Sequence, residues 1–218
     1  DALKNLAQSL KLEFGWHYLL DISWILSQID TIAGRRFIDA GAGTGIIQWY
    51  LADQGACVLS IDRESREYLA PRFRRRFEVE GLRQEDLASA EFPTATVRKS
   101  MKSFAADLAD RMRYGLDQVS RGKSDLSGKV IIYNQDLSHL ADIEDETIDT
   151  IVAVSSLEHN TPQGLEVVVA ELMRVLKPGG ALLATLGAAR NDDWFHEPSQ
   201  GWCYSEDTLR EIFNIFGE

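Results

Sequence analysis

The sequence predicts an α/β fold, a doubly wound and mostly parallel sheet, and three observations carry that expectation. Short apolar runs alternate with stretches of helical periodicity along most of the 218 residues. That alternation is the pattern of parallel strands covered on both faces and joined by right-handed helical crossovers. One apolar run, Phe37-Ile38, meets Asp39 and then Ala40-Gly41-Ala42-Gly43-Thr44-Gly45, a strand that turns sharply on glycines. Finally, the crossover from Asp62 to Lys129 is far longer than the roughly 25 residues that one helix and two loops need, so it holds an insertion.

The elements follow in order. Residues 3–30 carry Leu10, Phe14, Tyr18, Leu19, Ile22 and Ile25 at helical spacing and read as a helical lead-in. Phe37 to Ala40 is the first strand, followed by a helix from about Thr44 to Gln54. Cys57 to Ile61 is the second strand, and a helix is expected from about Ser65 to Glu78. Within it, Arg72 to Arg76 reads as a solvated face, with an anionic substrate or partner as the sharper alternative. Residues of about 79–128 form the insertion, where Met101, Phe104, Leu108, Met112 and Leu116 give a helical stripe and suggest a cap beside the sheet. Lys129 to Tyr133, Thr150 to Val154 and Ala181 to Leu186 are strands three to five, with a helix from Pro162 to Leu176 before the last. Ser205 to Phe216 reads as an amphipathic helix with nothing strand-like after it, so the expected fold lacks its C-terminal strands here and the natural protein is expected to continue beyond Glu218. The chain starts at Asp1 and reads as a processed or cloned fragment, organised as one domain over residues 1–218.

Charge and composition narrow the function. A formal net charge of -11 opposes a polyanionic partner, because neutralising phosphates takes clustered Lys and Arg. Nucleic acid is therefore not the expected partner. Two cysteines, Cys57 and Cys203, are too few for a disulfide framework and fit a reducing, cytoplasmic setting. No apolar run approaches the roughly 20 residues of a membrane span, and no metal site is expected.

The glycine turn carries the most chemistry. Glycine adopts backbone angles closed to other residues and lets a ligand lie against the main chain. Gly41, Gly43 and Gly45 are spaced two apart, whereas the dinucleotide fingerprint has its third glycine one place later, where Ile46 stands. The spacing favours a nucleoside ligand without a pyrophosphate, against the competing reading of a purely structural turn.

Four features in the right order resemble the class I S-adenosylmethionine-dependent methyltransferases, and more closely the small-molecule group that includes the ubiquinone-biosynthesis O-methyltransferases. Asp39 to Gly45 resembles that family's DxGxGxG motif; the resemblance implies that Asp39, Ala40, Gly41, Gly43 and Gly45 receive the methionine portion of the cofactor. Asp62, with Arg63 beside it, closes the second strand where the family holds the ribose hydroxyls, a task suited to an acceptor-only carboxylate. Asp136 and Leu137 stand where the family contacts adenine. Asp149 to His159, including Ser155, and then Leu176-Lys177-Pro178-Gly179-Gly180 complete the likeness; Asp149 is read as structural and Pro-Gly-Gly as a turn.

The resemblance implies S-adenosyl-L-methionine as cofactor, S-adenosyl-L-homocysteine as product and a small-molecule acceptor, with methylation expected on oxygen. A hydroxyl acceptor needs a base, and His159 is the first candidate, against a competing role of holding its loop by hydrogen bonds. Trp16, His17, Tyr18, Trp194 and His196 are candidates for the acceptor pocket, against packing roles. Two other readings stay open: a nicotinamide-dependent oxidoreductase or epimerase, and a non-catalytic module that binds S-adenosylmethionine.

Overall fold

In the computed structural model, which describes residues 2–13, 15–88 and 128–213, the apolar runs become strands of one parallel sheet. Its strands are β1 (Arg36–Ala40), β2 (Cys57–Asp62), β3 (Glu78–Gly81), β4 (Lys129–Asn134), β5 (Ile148–Val154) and β6 (Leu176–Thr185), in the spatial order β3-β4-β2-β1-β5-β6. The order reverses at β1, between β2 and β5.

Successive residues of each strand face opposite sides, which divides the core in two. Phe37, Val58, Val130, Ile132 and Val152 face helices α1 (Ala2–Leu10), α2 (Trp16–Ser27), α3 (Ile47–Asp53) and α4 (Pro71–Arg76). Ile38, Leu59, Ile61, Ile131 and Ile151 face α5 (Pro162–Val175), whose Leu165, Val168, Val169 and Leu172 are buried. Each such side chain withdrawn from water is worth about 1.5–3 kcal/mol. Trp49 stacks on Phe73 with ring centroids 4.5 Å apart and so ties α3 to α4. Thr161 caps α5 by accepting from the Gly164 N–H, ahead of Pro162, a residue suited to a first helical turn.

Several expectations are corrected. The lead-in is two helices, because Lys11 adopts φ 52° and the Leu12 N–H bonds back to the Ala7 carbonyl at 2.9 Å, closing α1. The helix expected over 65–78 shrinks to α4: Ala70 is extended before Pro71, and extended Phe77 leads directly into β3. That strand occupies the start of the expected insertion, and its Glu78-Val79-Glu80-Gly81 carries too few apolar residues to signal itself. It pairs in parallel with β4, and Glu80 accepts from Lys129 Nζ at 2.7 Å. The 97–119 stripe lies outside the described residues. The arginines of α4 are not simply solvated: Arg74 donates to the Ala88 carbonyl at 2.5 Å, and Arg76 reaches Ser9 and Asp53 at 2.9 and 3.1 Å.

Pro178-Gly179-Gly180 forms an irregularity inside β6 rather than a turn before it: Ile148 pairs with Leu176 but Thr150 pairs with Ala181, and Gly179 has φ 77°. A second, three-stranded sheet, β7 (Gly187–Ala188), β8 (Trp194–His196) and β9 (Gly201–Tyr204), follows in the order β7-β9-β8. Its strands are too short for a periodic signal. Helix α6 (Glu206–Ile212), capped by Ser205, ends the described chain.

Candidate active site

A cavity of about 730 Å³ opens at the C-terminal ends of β1, β2, β4 and β5, where sheets of this kind bind ligands. The glycine turn forms one wall. Gly41 and Gly43 have φ 73° and 45°, angles that favour glycine, and a Cβ on Gly41 would collide with the Ser156 side chain, so position 41 requires glycine. The N–H groups of Gly41 and Ala42 donate to the Ile61 carbonyl at 3.0 and 2.9 Å, which pins the turn to β2.

Asp39 lies under this turn, only 2% exposed. Its Oδ2 has no hydrogen-bond partner among the described residues. Burial pushes its carboxyl up to about 7; the Arg66 guanidinium opposes the rise and Asp62 adds to it. A buried carboxylate oxygen without a partner costs free energy until a hydrogen-bond donor or a cation meets it.

Asp62 receives the Gly43 N–H on Oδ2 and the Glu64 N–H on Oδ1, both at 2.8 Å. A carboxylate has about four acceptor sites, so two remain for a ligand. Asp136 accepts from the Ser138 N–H and hydroxyl on Oδ1, at 2.9 and 2.6 Å, which leaves Oδ2 toward solvent or ligand. Those two bonds hold its carboxyl below the usual range despite partial burial. Arg63, Leu137 and Ser155 also line the cavity. Ser155 has φ 47°, unusual for a residue other than glycine, and its N–H donates to the Thr185 carbonyl at 3.0 Å.

His159 lines the cavity with its Nδ1 3.0 Å from the Gln200 carbonyl. A carbonyl only accepts, so this contact sets the tautomer with hydrogen on Nδ1 and a lone pair on Nε2. Tyr18 also lines the cavity, from α2.

Other expected residues stand elsewhere. Ala40 is fully buried in β1, where its carbonyl accepts from Ser156 Oγ at 2.6 Å. Trp16 begins α2 on a side 76% exposed, because two residues along a helix turn it away from the face that carries Tyr18. His17 falls within α2, and its side chain is outside the described residues. Trp194 packs edge-on against His196 at 5.4 Å, and His196 bonds Ser199 at 2.7 Å; both belong to the small sheet and not to the cavity lining.

The sequence reading missed Leu12, Glu13, Ile22, Asn160 and Gln200, which also line the cavity. It also missed a buried polar group behind the glycine turn: Gln48, Ser60 and Arg66, each less than 8% exposed. A polar residue within an otherwise apolar run, as in Ile46-Ile47-Gln48-Trp49 and Val58-Leu59-Ser60-Ile61, was the available signal. Among the described residues no helix is long and apolar enough to cross a membrane, and no His, Cys, Asp or Glu cluster could hold a metal.

Residues 95–184 match a family model described as a methyltransferase domain. Among solved structures, the YcgJ protein from Bacillus subtilis is similar at 16% identity and TM-score 0.55, covering 90% of this chain and 67% of that one. The cyclase SpnF is similar at 21% identity and TM-score 0.52, covering 90% of this chain and 55% of that one. A SAM-dependent methyltransferase from Methanosarcina mazei shares 17% identity at TM-score 0.50, covering 87% of this chain and 82% of that one. No curated protein matches the chain. The domain match covers less than half of the chain, and what these solved structures share with it is the fold.

Proposed function

We propose that this protein binds S-adenosyl-L-methionine and transfers its methyl group to a small-molecule acceptor on oxygen, in the cytoplasm. The observation that carries the reading is the single cavity shared by the unpartnered Asp39 oxygen, the positive-φ glycines, Asp62 and Asp136. In this reading Asp39 holds the ammonium of the methionine portion, either directly or through water. Gly41 and Gly43 leave room for the methionine chain against the backbone. Asp62 accepts the ribose hydroxyls on its free lone pairs, while Asp136 accepts from the adenine amino group and Leu137 flanks the ring.

The bound sulfonium supplies an electrophilic methyl and departs as a neutral thioether. The protein therefore has to align the acceptor, exclude water and take one proton. His159 is suited to the proton, because its Nδ1 bond to the Gln200 carbonyl leaves the Nε2 lone pair free. Leu12, from the link between α1 and α2, and Tyr18 and Ile22 of α2 supply the apolar side of the acceptor pocket.

Titration calorimetry with S-adenosylhomocysteine and with NAD tests this directly. Binding of the first is expected, and tight NAD binding without it would overturn the proposal. Once an acceptor is known, His159→Ala is expected to lower kcat about a hundredfold with little change in cofactor affinity; unchanged turnover would remove the base.

A further inference from the structure

Behind the glycine turn, hydrogen bonds run in one direction. Arg66 enters from the segment after β2 and donates from Nη1 to the Ser60 hydroxyl and from Nη2 to the Ser60 carbonyl at 2.7 Å. Guanidinium is donor-only, so the Ser60 oxygen accepts, and its own hydrogen goes to Gln48 Oε1. That fixes which way the Gln48 amide faces. Its Nε2 is left to donate to the turn itself, at 3.3 Å to the Ala42 carbonyl, 3.4 Å to Gly43 and 3.1 Å to Gly45. The same arginine is anchored to β4: Nη2 donates to the Tyr133 carbonyl at 3.2 Å, and its backbone N–H donates to Asn134 Oδ1 at 3.0 Å.

We infer that Arg66, Ser60 and Gln48 form a buried relay that orients the Gln48 amide and thereby holds the glycine turn in its ligand-receiving shape. They are positioning residues: none of the three lines the cavity. The relay joins the β4 end of the site, which leads to Asp136, to the turn above Asp39. Without the serine hydroxyl, the amide loses the partner that distinguishes its oxygen from its nitrogen. A reversed amide would aim an oxygen at three carbonyl oxygens, and the turn would have to move. This inference rests on the proposal that the cavity takes S-adenosylmethionine, and its test separates the two.

The full chain is titrated with S-adenosylhomocysteine by calorimetry, alongside Gln48→Met, Ser60→Thr, Ser60→Val and the Gln48→Met/Ser60→Val double variant. Absence of binding by the unmodified chain overturns the cofactor reading itself. Given binding, Gln48→Met keeps length and packing but removes the donors, and is expected to weaken affinity about tenfold. Ser60→Thr keeps the hydroxyl and should bind nearly as tightly as the parent, whereas Ser60→Val, which has the shape of the threonine variant without its hydroxyl, should lose about tenfold. The double variant should bind no more weakly than Gln48→Met, because Ser60 acts only through that amide. Equal affinities for the Thr and Val variants, or losses that add, overturn the relay. Melting curves establish that each variant is folded at the titration temperature. Should the β-branched variants not fold, Ser60→Ala carries the test, and parent-like affinity in it overturns the relay.

Discussion

Asp39 and Asp149 sit on neighbouring strands of one sheet and have opposite fates. Asp149, near the start of β5, accepts the Arg36 N–H at 2.8 Å, Lys177 Nζ at 2.8 Å and Arg35 at 3.4 Å. Burial raises its carboxyl, but those donors outweigh it and leave it below the usual range. Asp39, in β1, has an orphaned oxygen and a carboxyl raised to about 7. One end of the sheet satisfies its charge and gains stability. The other leaves charge unsatisfied and has a cavity beside it. The contrast separates an acid whose donors hold the fold together from one left with an orphaned oxygen beside a cavity.

The largest expected effect comes from removing the unsatisfied charge. For Asp39 the native state holds its proton more tightly than the unfolded chain. Its ionisation therefore carries no penalty below about pH 4, a growing one up to pH 7 and a constant one above. Asp39→Asn is expected to stabilise the ligand-free protein at pH 8 by on the order of 2–4 kcal/mol while reducing S-adenosylhomocysteine affinity about a hundredfold or more. Thermal melts across pH together with calorimetry check both halves. A variant that is less stable and still binds would erase the distinction between the two acids.

Glycines sharpen the same comparison. Gly41 at the cavity and Gly179 at the opposite end of the sheet have nearly equal φ, 73° and 77°. A Cβ on Gly179 meets nothing within 4 Å, whereas one on Gly41 runs into Ser156, whose hydroxyl is bonded to the Ala40 carbonyl. Gly179→Ala should cost only the backbone preference, about 1 kcal/mol, and leave ligand binding intact. Gly41→Ala should cost about 2–3 kcal/mol and abolish detectable binding, since Ser156 and the turn must both shift. Chemical denaturation and titration of the pair would measure how much of the penalty belongs to the site.

These two ends of the sheet were unequally legible in the sequence. The apolar strands, the glycine turn and the acids closing β1 and β2 announce themselves, because each is a local pattern with a local cause. Asp149 was read as structural for the same reason, at the start of a strand. The polar edge strand β3 was not legible, since its pairing depends on Lys129 far along the chain. Nor was the relay: a glutamine, a serine and an arginine look ordinary until folding brings them together. The aromatic groups misled in part. Trp194 and His196 suggest a pocket roof, yet their partners lie within β8 and the turn that follows it, while Tyr18 reaches the cavity because of the helical face it shares with Ile22. Helical phase, and not residue type, separated Tyr18 from Trp16.

The smallest effect is expected at the satisfied end, and its sign with pH is opposite to that of Asp39. Because the folded-state pKa of Asp149 is depressed, its contribution is fully present above the unfolded value of 3.8 and is lost as pH falls through the folded pKa. Asp149→Asn keeps the shape and one acceptor for the Arg36 N–H but weakens the bonds from Lys177 and Arg35. A loss of about 1–2 kcal/mol at pH 7 is expected, with S-adenosylhomocysteine affinity unchanged. The gap between parent and variant should close on acidification below pH 4, where the parent also loses its charge, whereas the Asp39→Asn gain should already have vanished there. Arg35 contributes least, since its side chain is 55% exposed and its contact is 3.4 Å; Arg35→Ala should change stability by less than about 0.5 kcal/mol. Denaturation of the parent and these variants at pH 3, 5 and 7 would reveal whether the two slopes oppose. Parallel slopes would mean that Asp39 is satisfied in solution by a partner the cavity already supplies.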